Sequence, residues 1–444
     1  MTAQPRPELT LFDSTCLIVG IIIGAGIYQM APDIAKGAGG PGGVLGLWAL
    51  GGLLSLCGAL SYAELATAYP REGGDYVYLS RAYGPWAGFL FGWAQLAIVR
   101  PGDIVVMAFA FATYARAIFD PWAGTAFAYT PQLYAALAVI GLTGINVWGV
   151  RTGKWTQNLL TTVKAAGLLL IVAAAFAQPP APNPVESTGN LPWSLALIFV
   201  LFTYGGWNEM AYVAAEVKHP RRNIVRALFL GLAAVTLLYL LINAAFLFAL
   251  GYAGLTASEA VAVDAVAGGL PRLAGPLVAA LICISALGAV NGLIFTGARI
   301  SYAMGADHWQ FRRLGRWHPR RGTPVTALLL QGAIALGLIV VLGSFVHAVL
   351  YTAATVYSFY LATTLAVMVL RRKEPHLERP YRVIGYPVTP LLFAGVCVFL
   401  IHAAVIYKPG IAAAAAGLLL LGLGVWWRST WPRGGRSPGR RNHR

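Results

Sequence analysis

The fold is decided by two glycine-bearing stretches, Ile23-Gly24-Ala25-Gly26-Ile27 and Tyr204-Gly205-Gly206-Trp207-Asn208. Each interrupts a long apolar run near its middle. A glycine inside a helix costs about 1 kcal/mol relative to alanine, although membrane helices also use glycine for close packing. Close packing therefore explains either stretch alone. Their equivalent placement, and the polar Asn208 and Glu209 that follow the second, favour two unwound helices over packing.

The runs around these stretches have the length and composition of membrane spans. The 444 residues are 58% hydrophobic and only 11% charged, whereas soluble proteins carry roughly 25% charged residues. Runs near 20 residues match a hydrocarbon core about 30 Å thick. The sequence predicts an all-α polytopic membrane protein with 12 transmembrane helices, at about 13–35, 43–69, 85–119, 131–149, 157–177, 193–217, 223–250, 274–304, 325–343, 346–370, 387–406 and 411–427.

The net charge of +16 is explained by where the basic residues fall. With the N-terminus inside, lysines and arginines concentrate in the cytoplasmic loops, as the positive-inside rule requires. This pattern predicts cytoplasmic N- and C-termini and a cell (inner) membrane location. The basic tail 428–444 is expected to lie against lipid headgroups. A nucleic-acid partner is therefore not expected.

The spans divide into two halves of five. A five-helix repeat over 9–178 and another over 191–372 each open with a glycine-broken helix, so the halves form a 5+5 inverted repeat. Such repeats with discontinuous first helices are typical of secondary transporters. Helices 11 and 12 (385–427) are expected to be peripheral, and 1–444 is expected to be a single transporter domain.

Unwound backbone at membrane depth is tolerated only where it is buried in protein or lines a cavity. Its free N–H groups attract a carboxylate and its free carbonyl groups attract an ammonium. One break can therefore hold both charges of an α-amino acid. We expect the two breaks to line a substrate cavity.

The sequence resembles the amino acid–polyamine–organocation (APC) superfamily, and within it the L-type amino acid transporter branch, from about residue 9 to 406. The segments that carry the resemblance lie in order along the chain: Gly24-Ala25-Gly26-Ile27-Tyr28, Tyr62-Ala63-Glu64-Leu65, Pro70-Arg71-Glu72-Gly73-Gly74-Asp75-Tyr76, Gly92-Trp93, Arg100-Pro101, Phe202-Thr203-Tyr204-Gly205-Gly206-Trp207-Asn208, Glu216-Val217-Lys218-His219-Pro220, Ser285–Gly292 with Arg299, and Arg379-Pro380-Tyr381-Arg382. The resemblance implies the APC fold, with helices 1 and 6 unwound.

The resemblance also implies roles for residues at the breaks. Backbone groups of Ile23, Gly24, Ala25, Gly26 and Ile27 would hold the substrate carboxylate, and carbonyls of both broken helices its ammonium. Phe202 stands where the family has an outer-gate aromatic; the alternative is an ordinary lipid- or core-facing phenylalanine. The remaining predicted substrate-binding residues belong to the second break: Thr203, Tyr204, Gly205, Trp207 and Asn208.

Lys164 matches a span-five lysine whose ammonium replaces a sodium ion beside the first broken helix. The alternative is a lysine that snorkels to the cytoplasmic interface. A lysine at mid-bilayer costs about 3 kcal/mol on insertion scales, so a retained one indicates function. We group Lys164 with Ser285 of span eight as coupling residues, and the match implies sodium independence.

Three further charges fall at membrane depth. Arg100 and Asp103 are three residues apart on one helical face and can pair with each other. Alternatively, Asp103 favours a cationic substrate. Glu209 replaces the apolar or aromatic residue expected there, and points either to a cationic substrate or to a proton-titrating group.

The sequence thus predicts a sodium-independent amino acid transporter for neutral substrates, working by alternating access with proton-coupled uptake or exchange. The alternatives are a cationic amino acid or polyamine transporter on the same fold, and a non-transporting sensor. No metal, cofactor or catalytic motif indicates an enzyme. The loop Asp120–Pro131 lacks the cysteine that animal relatives use to bind a heavy chain, so no disulfide-linked partner is expected.

Overall fold

A computed structural model describes residues 5–122, 129–181, 191–269, 272–342, 345–407 and 409–430. These residues are almost entirely helical. The helices, in chain order, are α1 Leu11–Ile22, α2 Gly26–Gln29, α3 Ala31–Ala38, α4 Pro41–Ala68, α5 Asp75–Tyr83, α6 Pro85–Ala94, α7 Arg100–Ile118, α8 Thr130–Trp148, α9 Val150–Phe176, α10 Trp193–Thr203, α11 Pro220–Ala257, α12 Val261–Ala267, α13 Ala274–Asp307, α14 Val325–Leu342, α15 Phe345–Lys373, α16 Val388–Tyr407 and α17 Pro409–Thr430.

Helices cover most of the described part of every predicted span. Within the described residues, seven helical stretches are long and apolar enough to cross a membrane, namely Leu11–Gln29, Pro41–Ala68, Pro85–Ile118, Thr130–Trp148, Val150–Phe176, Pro220–Ala257 and Ala274–Asp307. Shorter apolar stretches lie in α14, α16 and α17. The chain is therefore a multi-pass membrane protein. Of the predicted basic tail 428–444, residues 431–444 lie outside the described residues.

Both predicted breaks interrupt a helix. The first helix stops at Ile22 and resumes at Gly26. The second stops at Thr203 and resumes at Trp207, as a 3₁₀-helix over Trp207–Glu216. A 3₁₀ segment this long is uncommon, because its hydrogen-bond geometry is poorer than that of an α-helix. The two breaks are the points at which these helices expose their backbone.

A wider, π-helical turn over Gln95–Val99 joins α6 to α7. The reason lies in Pro101, which has no N–H and whose ring would clash with the carbonyl of Ala97 in a regular α-helix. Arg100, the first residue of α7, directly follows this turn. Such turns often occur at functional sites.

The broken first helix lies at the centre of the molecule. It packs against α9, α11, α13 and the 3₁₀ segment of the second broken helix. α7 in turn packs against α13 and α15. The first break is therefore surrounded by packed helices.

Candidate functional site

The first break exposes three consecutive backbone donors. In the part of the chain that the structure describes, the N–H groups of Ala25, Gly26 and Ile27 make no backbone hydrogen bond. Such groups are costly to bury without a partner. The unwound stretch can therefore bind an anionic group of a ligand.

The carbonyl side of the same break is held by Lys164. Its side chain is fully buried, and its Nζ donates to the carbonyl oxygens of Gly20, Ile23 and Ser285 at 2.8, 2.8 and 2.9 Å. The Ser285 hydroxyl also lies 2.9 Å from the Ile23 oxygen and 3.0 Å from that of Gly24. The Lys164 ammonium thus donates hydrogen bonds to carbonyl groups that have no N–H partner in the interrupted helix.

The second break is held by shape rather than charge. Gly206 has φ of 108°, and a Cβ added to it would lie 2.7 Å from Cγ2 of Ile21. The hydroxyl of Tyr239 lies 3.1 Å from the carbonyl oxygen of Ile22 and 3.3 Å from that of Thr203. Tyr239 therefore ties together the last turns that precede the two breaks.

A cavity of about 140 Å³ lies between the breaks. It is lined by Ile21, Ile22, Gly24, Gly26, Asp103, Val106, Met107, Phe202, Thr203, Gly205, Gly206, Glu209, Ala289, Leu293, Val356, Tyr357 and Tyr360. An enclosed apolar cavity near 150 Å³ holds a molecule the size of benzene. The cavity has room for a small organic molecule, with mainly apolar walls.

One ion pair at the cavity crosses between two spans. Arg100 Nη1 donates to Glu209 Oε1 at 2.9 Å, with both side chains buried. The second Glu209 oxygen accepts from the hydroxyl of Thr296 on α13. The pairing expected within span three is thus not the contact that fixes Arg100. Its partner lies 109 residues away, beside the second break.

The cavity receives some of the predicted residues and not others. Gly24, Gly26, Phe202, Thr203 and Gly205 line it, as do Asp103 and Glu209. Six predicted binding residues are not among its lining residues: Ile23, Ala25, Ile27, Tyr204, Trp207 and Asn208.

Three of these six residues, Ile23, Trp207 and Asn208, contact residues around the cavity. Ile23 contributes its carbonyl to Lys164. The ring of Trp207 packs edge-on against Tyr62 at 5.1 Å, and Asn208 accepts a 2.7 Å hydrogen bond from Tyr360. Through Tyr360, the 3₁₀ segment is connected to the cavity wall.

Sequence reasoning missed several cavity residues. Gly206 was quoted as part of the second break but was not among the predicted site residues, although it is the glycine whose positive φ the break requires. Tyr357 and Tyr360 reach the cavity from α15. Two tyrosines three residues apart on an apolar helix share a face, and this pattern was the available signal. Tyr239 gave no comparable signal.

One end of the molecule is closed by buried ion pairs. Arg299 donates to both carboxylate oxygens of Glu216, at 2.7 and 3.1 Å. At the same end, Arg371 binds Glu64 at 2.8 and 2.6 Å. These contacts join the trailing segment of the second broken helix to α13, and α4 to α15.

The described residues offer few groups for metal or thiol chemistry. No group of three or more His, Cys, Asp or Glu residues that could hold a metal ion occurs there. The four cysteines, Cys16, Cys57, Cys283 and Cys397, are buried and unpaired as disulfides. The polar groups that converge on the cavity are backbone amides, carbonyls, hydroxyls and compensated charges.

The chain is similar to known proteins over nearly its whole length. The model of the amino acid permease family matches residues 9–426. The b(0,+)-type amino acid transporter 1 of Mus musculus is 31% identical over 97% of this chain and 90% of its own length. The large neutral amino acids transporter small subunit 2 of Homo sapiens is 31% identical over 95% and 81%, respectively. This chain belongs to the amino acid permease family of the amino acid–polyamine–organocation superfamily.

Proposed function

We propose that this protein is a sodium-independent amino acid transporter that works by alternating access in the inner membrane, with both termini in the cytoplasm. The observation that carries the proposal is the Lys164 ammonium on the carbonyls of the first break. The Lys164 side-chain nitrogen there would occupy the position that a sodium ion would need. Membership in a family of amino acid permeases supports the same conclusion.

The two charges of the substrate have separate partners at the breaks. Its carboxylate accepts from the free N–H groups of Ala25, Gly26 and Ile27. Its ammonium binds carbonyls at the ends of the half-helices, such as that of Ile21 on the cavity wall. Because both partners are backbone groups, this recognition is independent of the substrate side chain.

The substrate side chain is small to medium and neutral. The cavity is about 140 Å³ and its walls are largely apolar. Glu209 is compensated by Arg100 and Thr296, so it does not supply an open negative charge for a cationic substrate. One relative is named for the transport of large neutral amino acids, which supports neutral substrates.

Movement of the substrate requires each end of the cavity to open in turn. The Arg299–Glu216 pair closes one end, and Phe202 lines the cavity near the second break. We assign Phe202 to the outer gate. Coupling is either to protons, with Lys164 changing its charge, or to exchange with a second amino acid.

A second candidate function, transport of cationic amino acids or polyamines, is favoured by Asp103. This residue is half-buried in the cavity wall. A substrate ammonium near Asp103 would gain a charge-assisted hydrogen bond. Competition by lysine or putrescine that exceeds competition by leucine would select this candidate.

The protein is proposed to act without a disulfide-linked partner, since its cysteines are buried within helices. Neither a catalytic role nor a purely sensory one is proposed, because the family and the relatives are transporters.

Proteoliposomes test the proposal directly. The purified chain should take up labelled leucine or alanine at equal rates in sodium-containing and sodium-free buffer. Counterflow, with unlabelled amino acid inside the vesicles, measures exchange. An imposed pH gradient measures proton-coupled uptake, so that the two kinds of coupling can be separated. Absence of uptake and of exchange across a panel of amino acids would overturn the proposal, and an obligatory sodium requirement would overturn the role of Lys164.

A further inference from the structure

A second cavity, of about 470 Å³, lies away from the two breaks, at the end of the molecule that the ion pairs close. It is lined by Arg6, Glu8, Trp148, Gly149, Val150, Arg151, Thr152, Glu216, Trp317, Pro319, Arg320, Arg321 and Gly322. Four separate parts of the chain form it, namely the N-terminal segment, the α8–α9 junction, the end of the 3₁₀ segment at Glu216, and the loop between α13 and α14.

The charges of this cavity are unbalanced in favour of cations. Four arginines line it with two glutamates. Glu216 is saturated by its two hydrogen bonds from Arg299, and Glu8 lies 3.5 Å from Arg151. Within the described residues, Arg6 and Arg320 form no ion pair. An anion would gain these charges without displacing an existing partner.

Backbone N–H groups at the start of α9 also favour an anion in this cavity. α9 is 27 residues long, begins at this cavity, and carries no acidic residue in its first turn. Its N-terminal N–H groups present the positive end of the helix dipole. Those of Arg151 and Thr152 make no backbone hydrogen bond in the described part of the chain. Donors of this kind suit the several oxygens of a phosphate group.

The frame of the cavity is fixed by backbone contacts. Val150 N donates to the Arg321 carbonyl at 3.1 Å, which docks the α13–α14 loop on the start of α9. The N–H groups of Glu8 and Leu9 both lie 2.8 Å from the Glu216 carbonyl, which docks the N-terminal segment on the second broken helix. A bound anion would therefore bridge segments attached to different helices.

We propose that this cavity binds a phosphate-bearing anion, and that the headgroup of an anionic phospholipid is its source. Trp148, on the rim of the cavity, is 78% exposed. Further along α9, Trp155 and Leu159 are also exposed. Exposed aromatic residues at the end of a span mark the membrane interface. The acyl chains would lie along this apolar surface while the phosphate enters the cavity.

Lipid binding by the purified full-length chain in detergent tests the proposal. Phosphatidylglycerol should raise its melting temperature at concentrations at which phosphatidylcholine does not. For Arg6→Gln/Arg320→Gln we expect the half-saturating concentration to rise about 30-fold, because each arginine contributes roughly a factor of five near an anionic lipid. The matched control Arg312→Gln/Arg313→Gln removes two charges from the same loop outside the cavity, and should shift it less than about threefold.

A second arm uses inorganic phosphate instead of lipid. Stabilisation by phosphate that the Arg6/Arg320 variant loses would support the phosphate site and identify a soluble anion as its source. No response to either probe, or equal losses in the two double variants, would overturn the proposal. On the unaltered chain, a photoreactive phosphatidylglycerol should label peptides that contain Trp148 or Trp317, and labelling confined to other peptides would also overturn it.

Discussion

The first break carries a lysine ammonium and a serine hydroxyl on its carbonyls, whereas the second break is shaped by Gly206 and the hydroxyl of Tyr239. Charge therefore stabilises one interruption, and backbone conformation and packing stabilise the other. Stabilisation by a buried cation that donates to carbonyl groups requires the charge to be kept. A glycine with positive φ is insensitive to charge but tolerates no added side chain. The two halves of one site should thus fail in different ways.

The largest effect is expected at the first break. Lys164→Ala removes three hydrogen bonds from a charged donor, each worth about 1.5 kcal/mol or more, so transport should fall about a thousandfold. Uptake of labelled leucine by proteoliposomes measures the loss. Lys36→Ala, which removes an exposed lysine paired with Asp33, is the matched control and should retain wild-type uptake. Wild-type uptake rates for Lys164→Ala would contradict the role assigned to this residue.

The next effect concerns the ion pair that holds the segment after the second break. Glu209→Gln removes the carboxylate that pairs with the buried Arg100, and breaking a buried pair costs about 3–5 kcal/mol. The melting temperature in detergent should therefore drop clearly for Glu209→Gln and for Arg100→Gln. The double variant should be more stable than the sum of the single losses indicates. Strictly additive losses would show that the two side chains are not coupled.

Glycine substitutions distinguish the neighbouring residues of the second break. Gly206→Ala forces a side chain into positive φ, at about 1–2 kcal/mol, and toward Ile21. Leucine affinity should fall about tenfold. In Gly205→Ala the new methyl group meets only the Phe202 carbonyl, at 3.1 Å, so a change below about threefold is expected. Equal effects of the two substitutions would contradict a break built on the conformation of Gly206.

The smallest effect is expected for the hydroxyl that ties the two breaks together. Tyr239→Phe removes a neutral hydrogen bond worth about 1 kcal/mol, and leucine affinity should drop about fivefold. Tyr252→Phe is the matched control, because it removes a buried hydroxyl from the same helix that bonds the Ala35 carbonyl, away from the breaks. A loss as large in Tyr252→Phe would show that the effect is general destabilisation.

The positions of both breaks could be predicted from the sequence because unwinding is a local property. Glycine pairs within long apolar runs mark it without knowledge of the tertiary structure. The neighbourhood of Lys164 was expected only through the family resemblance. The lysine lies 141 residues from Ile23, and no local pattern connects them.

The Arg100–Glu209 pair could not be predicted from the sequence. Helical spacing suggested Asp103 as the partner of Arg100, since residues three apart share a face. The π-helical turn before Arg100 and the packing of the second broken helix bring Glu209 to it instead. Both causes depend on tertiary contacts, so spacing along one helix could not reveal them. Tyr239 was missed for the same reason.

Equilibrium binding of leucine and of its two truncated analogues, in sodium-free buffer, tests the central claim most directly. Leucine presents a carboxylate and an ammonium together, 3-methylbutylamine only the amine, and 4-methylpentanoate only the carboxylate. If the paired breaks hold both charges, leucine should bind at least about 100-fold more tightly than either analogue, since each analogue loses charge-assisted hydrogen bonds worth about 1.5–3 kcal/mol apiece. An analogue that binds as tightly as leucine would contradict the account.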